Sequence, residues 1–181
     1  MQTITREYGF DAGHRVMNER FKCFNAHGHR YHIKLTYSFQ DMHEIGYIID
    51  FKELKRVGVQ WIDDMMDHGF IVNPTDTKLI NTLKDIETKL YFMSLNGDEY
   101  CNPSVENVAR EIFLAQEILF EDYDGLEIHH IRLNETPNCY TDVYKDSIPE
   151  VERDTFYELR YDDIKGYAKD KGIVEYDDRK V

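Results

Sequence analysis

The chain has 181 residues, 41% of them hydrophobic, which suits one domain with a substantial core and is short for two. Its formal charge of -13 at pH 7 excludes the broad basic face with which proteins bind nucleic acid. The hydrophobic residues form short runs broken by charges, with neither a transmembrane stretch nor an apolar segment behind a basic N-terminus. We therefore expect a cytoplasmic protein with no membrane partner.

Two strands and a helix are predicted in the first part of the chain. Residues 2–12 are rich in strand-forming side chains, and within residues 30–39 hydrophobic and polar side chains alternate. Residues 50–66 carry hydrophobic side chains at helical spacing, behind Asp50 as the N-cap. A strand pair followed by a helix is therefore expected.

The middle of the chain has a weaker pattern. Residues 73–101 are predicted to be an insertion, with a short helix over 78–92 and a loop over 94–100. A second amphipathic helix then begins at Ser104. Two further alternating stretches predict the last strands, over residues 126–136 and 138–144.

The predicted order, β-β-α-(insert)-α-β-β, makes an α+β fold with an antiparallel four-stranded sheet and two helices on one face. The other face and the edges of such a sheet need cover, so self-association is expected. We predict one domain over residues 1–145, followed by a charged tail over 146–181 that is a peripheral helix or partly disordered and carries no motif.

Three histidines near the first two strands have the spacing of a metal site. His27 and His29 are separated only by Gly28, so in a strand their imidazoles point to one face, and His14 in the preceding strand supplies a third ligand. Three ligands leave one coordination position open for substrate, as in catalytic zinc sites. From the residues alone, this reading and a chance His-x-His pair are about equally supported.

The three cysteines, Cys23, Cys101 and Cys139, lie far apart and are expected to be reduced thiols. Each one is explained as a small buried side chain unless its neighbours point elsewhere. Only Cys23, which lies just before the histidine pair, has such neighbours.

Six motifs in a fixed order give a more specific indication. Together they resemble the superfamily of 6-pyruvoyltetrahydropterin and 6-carboxytetrahydropterin synthases over about residues 4–145. The motifs are FDAGH at 10–14, CFNAHGH at 23–29, GYIIDFKELK at 46–55, MDHGF at 66–70, NPSVENVA at 102–109 and NETPNCY at 134–140.

The resemblance implies a zinc ion on His14, His27 and His29, with Cys23 as the base that abstracts a proton. A Lewis acid that holds the side-chain oxygens of a dihydropterin would acidify the adjacent C–H bond. A thiol with an ordinary pKa near 8.5 needs a nearby cation to act as this base at neutral pH.

The resemblance also implies roles for residues farther along the chain. Asp67 and His68 are acid/base partners of the cysteine, which a neighbouring subunit is expected to supply, and Glu135 anchors the pterin through its N–H donors. Without the resemblance, Asp67 and His68 are explained as a pair at a helix end, and Glu135 is explained as a surface residue of a strand. For Ser104 and Glu106, a helix start and a substrate contact explain the residues equally well.

The Cys-x-x-x-His-Gly-His spacing resembles the branch of the superfamily that serves queuosine and 7-deazapurine biosynthesis. The implied enzyme is a carbon-carbon lyase that converts 7,8-dihydroneopterin triphosphate to 6-carboxy-5,6,7,8-tetrahydropterin, acetaldehyde and triphosphate. The alternative within the superfamily stops at triphosphate elimination and yields 6-pyruvoyltetrahydropterin. An acidic protein that binds a triphosphate also needs a local cationic patch, for which Arg15, Arg20 and Lys22 are candidates.

The resemblance further implies the tunnelling fold, in which three subunits close their sheets into a barrel and two trimers stack into a homohexamer. A function of a different class also remains open. In this alternative, Cys23 joins the three histidines as the fourth ligand of a structural, non-catalytic zinc site.

Overall fold

A six-stranded sheet is the frame of the computed structural model, which describes residues 1–42, 46–94 and 101–173. The strands lie in the order β4-β3-β1-β2-β5-β6. The pairs β1/β2, β2/β5 and β5/β6 are antiparallel, whereas β3 runs parallel to both β1 and β4. The strand bounds are β1 Gln2–His14, β2 His27–Phe39, β3 Gly69–Val72, β4 Leu90–Phe92, β5 Glu127–Thr136 and β6 Cys139–Tyr144.

The sheet has six strands rather than the predicted four. The predicted antiparallel strands are present as β1, β2, β5 and β6, and β3 and β4 extend the sheet beyond β1. These two additions span only four and three residues, which is too short for an alternating pattern to identify them. Most of the loop predicted over 94–100 lies outside the described residues.

The helices begin where the sequence supplies caps. The Asp50 side chain accepts a hydrogen bond from the Lys52 N–H at the start of the first helix, and Ser104 accepts one from the Asn107 N–H at the start of α4. The first helical segment continues from α1 through a π-helical turn, Lys55–Val59, into α2. The helix bounds are α1 Phe51–Leu54, α2 Gln60–Met65, α3 Thr77–Asp85, α4 Val105–Phe120 and α5 Glu150–Asp170.

The core lies between one face of the sheet and helices α2 and α4. Alternate residues of β2 are completely buried on this face, while the residues between them face the other side of the sheet. α4 is apolar around most of its circumference because the sheet covers one side and α5 covers another. The fully buried members of β1 and β2 are Phe10, Tyr31, Ile33, Leu35 and Tyr37.

A buried polar link joins the sheet to both helices of this layer. The Tyr37 hydroxyl donates to Gln116 Oε1 at 2.7 Å, and Gln116 Nε2 donates to the Gly58 carbonyl at 3.2 Å. A Cβ on Gly58 would lie 2.4 Å from Gln116 Oε1 and 2.8 Å from the Tyr37 hydroxyl. Gly58 is therefore needed for the close approach of the π-helical turn to α4.

We expect Gly58→Ala to lower the free energy of unfolding by about 1–3 kcal/mol, because the added methyl group must displace the buried Gln116 amide. The melting temperature should fall by roughly 2–10 °C in a thermal unfolding scan. Gly166→Ala in α5 is the matched control, since a Cβ there meets nothing within 4 Å and should be neutral or slightly stabilising. Equal melting temperatures for the two variants would contradict this account.

The C-terminal tail forms helix α5, which packs against α4, and residues 174–181 lie outside the described residues. Phe156, Ile164 and Ala168 are its buried residues. Arg153 forms an ion pair with Glu117 of α4 at 2.9 Å. The division of the chain at residue 145 stays a prediction. Within the described part of the chain, no helix is long and apolar enough to cross a bilayer.

Candidate active site and metal centre

The paired ends of β1 and β2 bring three histidines together. His14 lies directly opposite His27 in the antiparallel register, and His29 follows two residues later on the same face of β2. One ring nitrogen from each histidine lies within 4.8 Å of the others, and His14 Nε2 is 3.2 Å from His27 Nε2. The three predicted ligands therefore form one cluster at the end of the core.

Hydrogen bonds to backbone carbonyls fix the orientation of two of these rings. His14 Nδ1 lies 2.6 Å from the Pro103 carbonyl, and His27 Nδ1 lies 2.6 Å from the Asn25 carbonyl. A carbonyl only accepts, so each Nδ1 carries the proton and donates it. Burial lowers the pKa of His14 in spite of its bond to Pro103, so its ring is neutral and its Nε2 lone pair faces His27.

This geometry fits a bound cation. Two imidazole nitrogens on one tetrahedral zinc lie about 3.4 Å apart, close to the 3.2 Å between the Nε2 atoms of His14 and His27. His29 Nε2 is buried and has no hydrogen-bond partner among the described residues, as an unused metal ligand would. The three histidines could therefore hold a metal ion.

Glu135 reaches the same cluster from β5. The register of β5 on β6 shifts between Asn134 and Thr136, so Glu135 occupies a β-bulge. A bulge turns a side chain away from the regular alternation of the strand. Glu135 Oε1 lies 3.6 Å from His14 Nε2 and 3.8 Å from His29 Nε2, and a fifth of its side chain is exposed to solvent.

Cys23 lies in a short 3-10 helix, Lys22–Phe24, within the loop between β1 and β2. Its thiol is free and half-buried, and its carbonyl accepts a hydrogen bond from the Val16 N–H at 2.9 Å. In the described residues the group of clustered metal ligands contains the three histidines and not Cys23. The Cys23 thiol is therefore not one of the clustered metal-ligand candidates.

Tyr31 was not predicted as part of this region. Its side chain is completely buried, its ring centroid lies 5.8 Å from that of His29, and its hydroxyl has no hydrogen-bond partner in the described part of the chain. Burial, followed by the charges of Glu135 and Cys23, raises the pKa of Tyr31. The signal in the sequence was its position two residues after His29 on the same face of β2.

Asp67 and His68 lie at the edge of β1, after α2. Asp67 Oδ1 accepts from the Asp11 N–H and Asp67 Oδ2 lies 2.7 Å from His68 Nδ1, while the His68 N–H donates to the Asp11 carbonyl. Partial burial acts to raise the pKa of Asp67, but the hydrogen bonds from Asp11 and His68 outweigh it and lower that pKa. Asp67 is thus an ionised carboxylate that orients His68.

His68 has an unusual backbone and an open side chain. Its φ of 55° is left-handed, and 78% of its side chain is exposed. It borders a shallow cavity of about 420 Å³ together with Asp11, Arg30 and His29. Among the described residues, no hydrogen bond or ion pair links His68 to Cys23 or to the histidine cluster.

Ser104 and Glu106, the two remaining predicted site residues, lie at the start of α4, and the helix explains both of them without a substrate. Ser104 caps the helix, and Glu106 is exposed in its first turn. Substrate contact by either residue stays a prediction. Pro103, which precedes Ser104, was not predicted as a site residue. Its carbonyl accepts the hydrogen bond that orients the His14 ring.

Comparison with known proteins identifies the family. Residues 3–146 match the family model described as 6-pyruvoyl tetrahydropterin synthase. The chain belongs to this family. A 6-carboxy-5,6,7,8-tetrahydropterin synthase from Rickettsia bellii is 34% identical over 147 residues, which cover 79% of this chain and 100% of the relative. A second one, from Haemophilus influenzae, is 31% identical and covers 77% of this chain and 96% of the relative.

Solved structures agree with this family fold. An uncharacterized protein from Wolinella succinogenes superposes with a TM-score of 0.61 at 19% identity, covering 80% of this chain and 98% of the other. The predicted membership of the 6-pyruvoyl tetrahydropterin synthase family is confirmed, and so is the prediction of an enzyme of pterin synthesis.

Proposed function

We propose that this family member converts 7,8-dihydroneopterin triphosphate and one water molecule to 6-carboxy-5,6,7,8-tetrahydropterin, acetaldehyde and triphosphate, as a step of queuosine and 7-deazapurine biosynthesis. The observation that carries the proposal is the cluster of His14, His27 and His29 with Glu135 beside it. Relatives named 6-carboxy-5,6,7,8-tetrahydropterin synthase, of which 100% and 96% are covered by the match, support this product over the pyruvoyl one.

The metal in this proposal is zinc, because three imidazoles suit zinc better than the harder cations. When bound, zinc supplies a Lewis acid that polarises the side-chain oxygens of the dihydropterin and acidifies the adjacent C–H bond. Cys23 is not a member of the ligand group, which favours a coordination position open to substrate over a closed structural site.

Each protein group has one task in this reaction. Cys23 abstracts the proton from the pterin side chain, and His68, oriented by Asp67, relays protons to and from the thiol. Glu135 offers two carboxylate oxygens to the N–H donors of the aminopyrimidinone edge, a match similar to that of carboxylate with guanidinium. The bulge at Glu135 supports this task because it directs the carboxylate to the metal cluster.

The active assembly is proposed to be a homohexamer of two trimeric barrels, with sites between subunits. Strand β6 is one edge of the sheet and carries Tyr140 and Tyr144, both about half exposed. An exposed edge strand of this kind is a template for pairing with another copy. The exposed His68 side chain would then face the Cys23 of a neighbouring subunit.

A product assay tests the proposal. Zinc-loaded protein supplied with 7,8-dihydroneopterin triphosphate should release acetaldehyde and 6-carboxytetrahydropterin in equal amounts, and Cys23→Ala should lose at least about 10²-fold in rate because the base is absent. Cys139→Ala, which removes an exposed thiol far along the chain, is the control. Triphosphate release with a pyruvoyl product would replace the proposal by the pyruvoyl alternative, and absence of turnover in the unmodified protein would reject both.

A further inference from the structure

Arg15 follows the metal-ligand candidate His14 and is fully engaged within the protein. Its Nε and Nη2 donate to the two carboxylate oxygens of Asp76, each at 2.7 Å. Its guanidinium carbon lies 4.8 Å from the centre of the Phe24 ring. Only 17% of the Arg15 side chain and 2% of the Asp76 side chain are exposed. Arg15 is therefore not a free cation for a phosphate group, which removes it from the predicted cationic patch.

These contacts attach the loop that carries Cys23 to the rest of the protein. Phe24, on which the guanidinium rests, is the next residue after Cys23, and the Val16 N–H bonds to the Cys23 carbonyl. A second attachment lies close by, because the Met17 N–H donates to Asn102 Oδ1 at 2.8 Å. The loop is thus fastened at both its beginning and its end.

The anchor for this loop comes from the segment that the sequence marked as an insertion. Asp76 follows β3 and caps α3 by accepting from the Leu79 N–H, and its own N–H donates to the Asn73 carbonyl at 2.9 Å. Asn73 Nδ2 also donates to Asn102 Oδ1, at 3.1 Å. Hydrogen bonds therefore link Asp76 to Asn73, Asn73 to Asn102, and Asn102 to Met17 in the loop.

We infer that the Arg15–Asp76 pair is a positioning device that fixes the conformation of the loop carrying the Cys23 thiol. A bidentate guanidinium–carboxylate pair is geometrically strict, and proton abstraction loses about 10²-fold in rate for a displacement near 1 Å. The inference rests on the proposed role of Cys23 as the base. It assigns a purpose to residues 73–76, which contact Arg15 and Asn102.

The Asp76→Asn variant tests the ion pair without removing the helix cap. Asparagine is as good an N-cap as aspartate, so α3 keeps its cap, while the amide turns a donor toward the guanidinium. At 25 °C, where circular dichroism verifies that the variant is folded, kcat should fall by about 10- to 100-fold with KM within about threefold of the original value. Iodoacetamide modification of Cys23, measured by peptide mass spectrometry relative to Cys139, should become at least about threefold faster because the loop opens.

Two further variants separate positioning from stability. Glu117→Gln breaks the Arg153–Glu117 pair, which is also bidentate and half-buried but lies between α4 and α5. It should lower the melting temperature and leave kcat and the Cys23 modification rate unchanged. The double variant Arg15→Met/Asp76→Asn removes both charges, so its melting temperature should recover relative to Asp76→Asn. Its kcat should stay low because no bidentate bridge re-forms.

The inference is overturned if Asp76→Asn keeps the original kcat and Cys23 modification rate, or if the double variant regains kcat together with its melting temperature. Failure of the proposed function is a separate result. It would appear as absence of pterin turnover in the unmodified protein, whereas the modification rate of Cys23 would still report whether the pair holds the loop.

Discussion

His29→Ala will reduce bound zinc from about one ion per chain to less than about 0.1 and will lower turnover by at least about 10³-fold, because two imidazoles do not hold the ion in an open site. His29 Nε2 is buried beside the other ligand nitrogens and has no hydrogen-bond partner in the described residues. Metal content by elemental mass spectrometry and the rate of acetaldehyde formation measure the two effects.

His32→Ala is the matched control for this variant. His32 lies in the same strand three residues later, so its side chain points to the opposite face of β2, where about half of it is exposed and it lies 3.6 Å from Glu7. Zinc content and turnover should both stay at their original values. A His29→Ala protein with a full complement of zinc would show that the metal is bound elsewhere.

Removal of the metal provides a second readout of the same prediction. A ligand present at about a thousand times its dissociation constant stabilises the folded state by roughly 4 kcal/mol. For a chain of this size, that corresponds to a melting temperature about 8–16 °C higher with zinc than after treatment with a chelator. The His29→Ala protein should show no such difference between the two conditions.

The histidine cluster was predictable because its geometry is local. A strand places every second side chain on one face, so His27 and His29 had to point the same way once residues 27–39 formed β2. His14 required only that β1 and β2 pair as neighbours in the chain, with a register that sets it opposite His27.

The parts of the site that the sequence concealed depend on distant contacts. Asp76 is 61 positions from Arg15, and no sequence pattern near either residue predicts that they form a pair. The bulge that turns Glu135 toward the histidines is an interruption of strand pairing, which composition does not encode. Strands β3 and β4 were missed for a related reason, since short parallel strands are defined by their partners rather than by their own alternation.

Cys23→Ala and His68→Asn proteins, each inactive alone, will recover activity when they are mixed, unfolded and refolded together. If Cys23 of one subunit works with His68 of its neighbour, a random mixture restores an intact pair at up to about a quarter of the sites. The exposed His68 side chain, with no hydrogen bond or ion pair to the Cys23 loop among the described residues, is the basis for this expectation. Acetaldehyde formation by the mixed assembly, purified at the size of the oligomer, measures the recovery.

Asparagine is chosen at His68 because the backbone there has a φ of 55°, a conformation that asparagine adopts more readily than most residues. The variant should therefore keep the original melting temperature, and its inactivity reports the lost imidazole rather than a distorted turn. His68→Gly, which removes the backbone strain altogether, should be as inactive and at least as stable. A mixture no more active than its separate components would place Cys23 and His68 of one chain in the same site, and the cavity that His68 shares with His29 would then be the route between them.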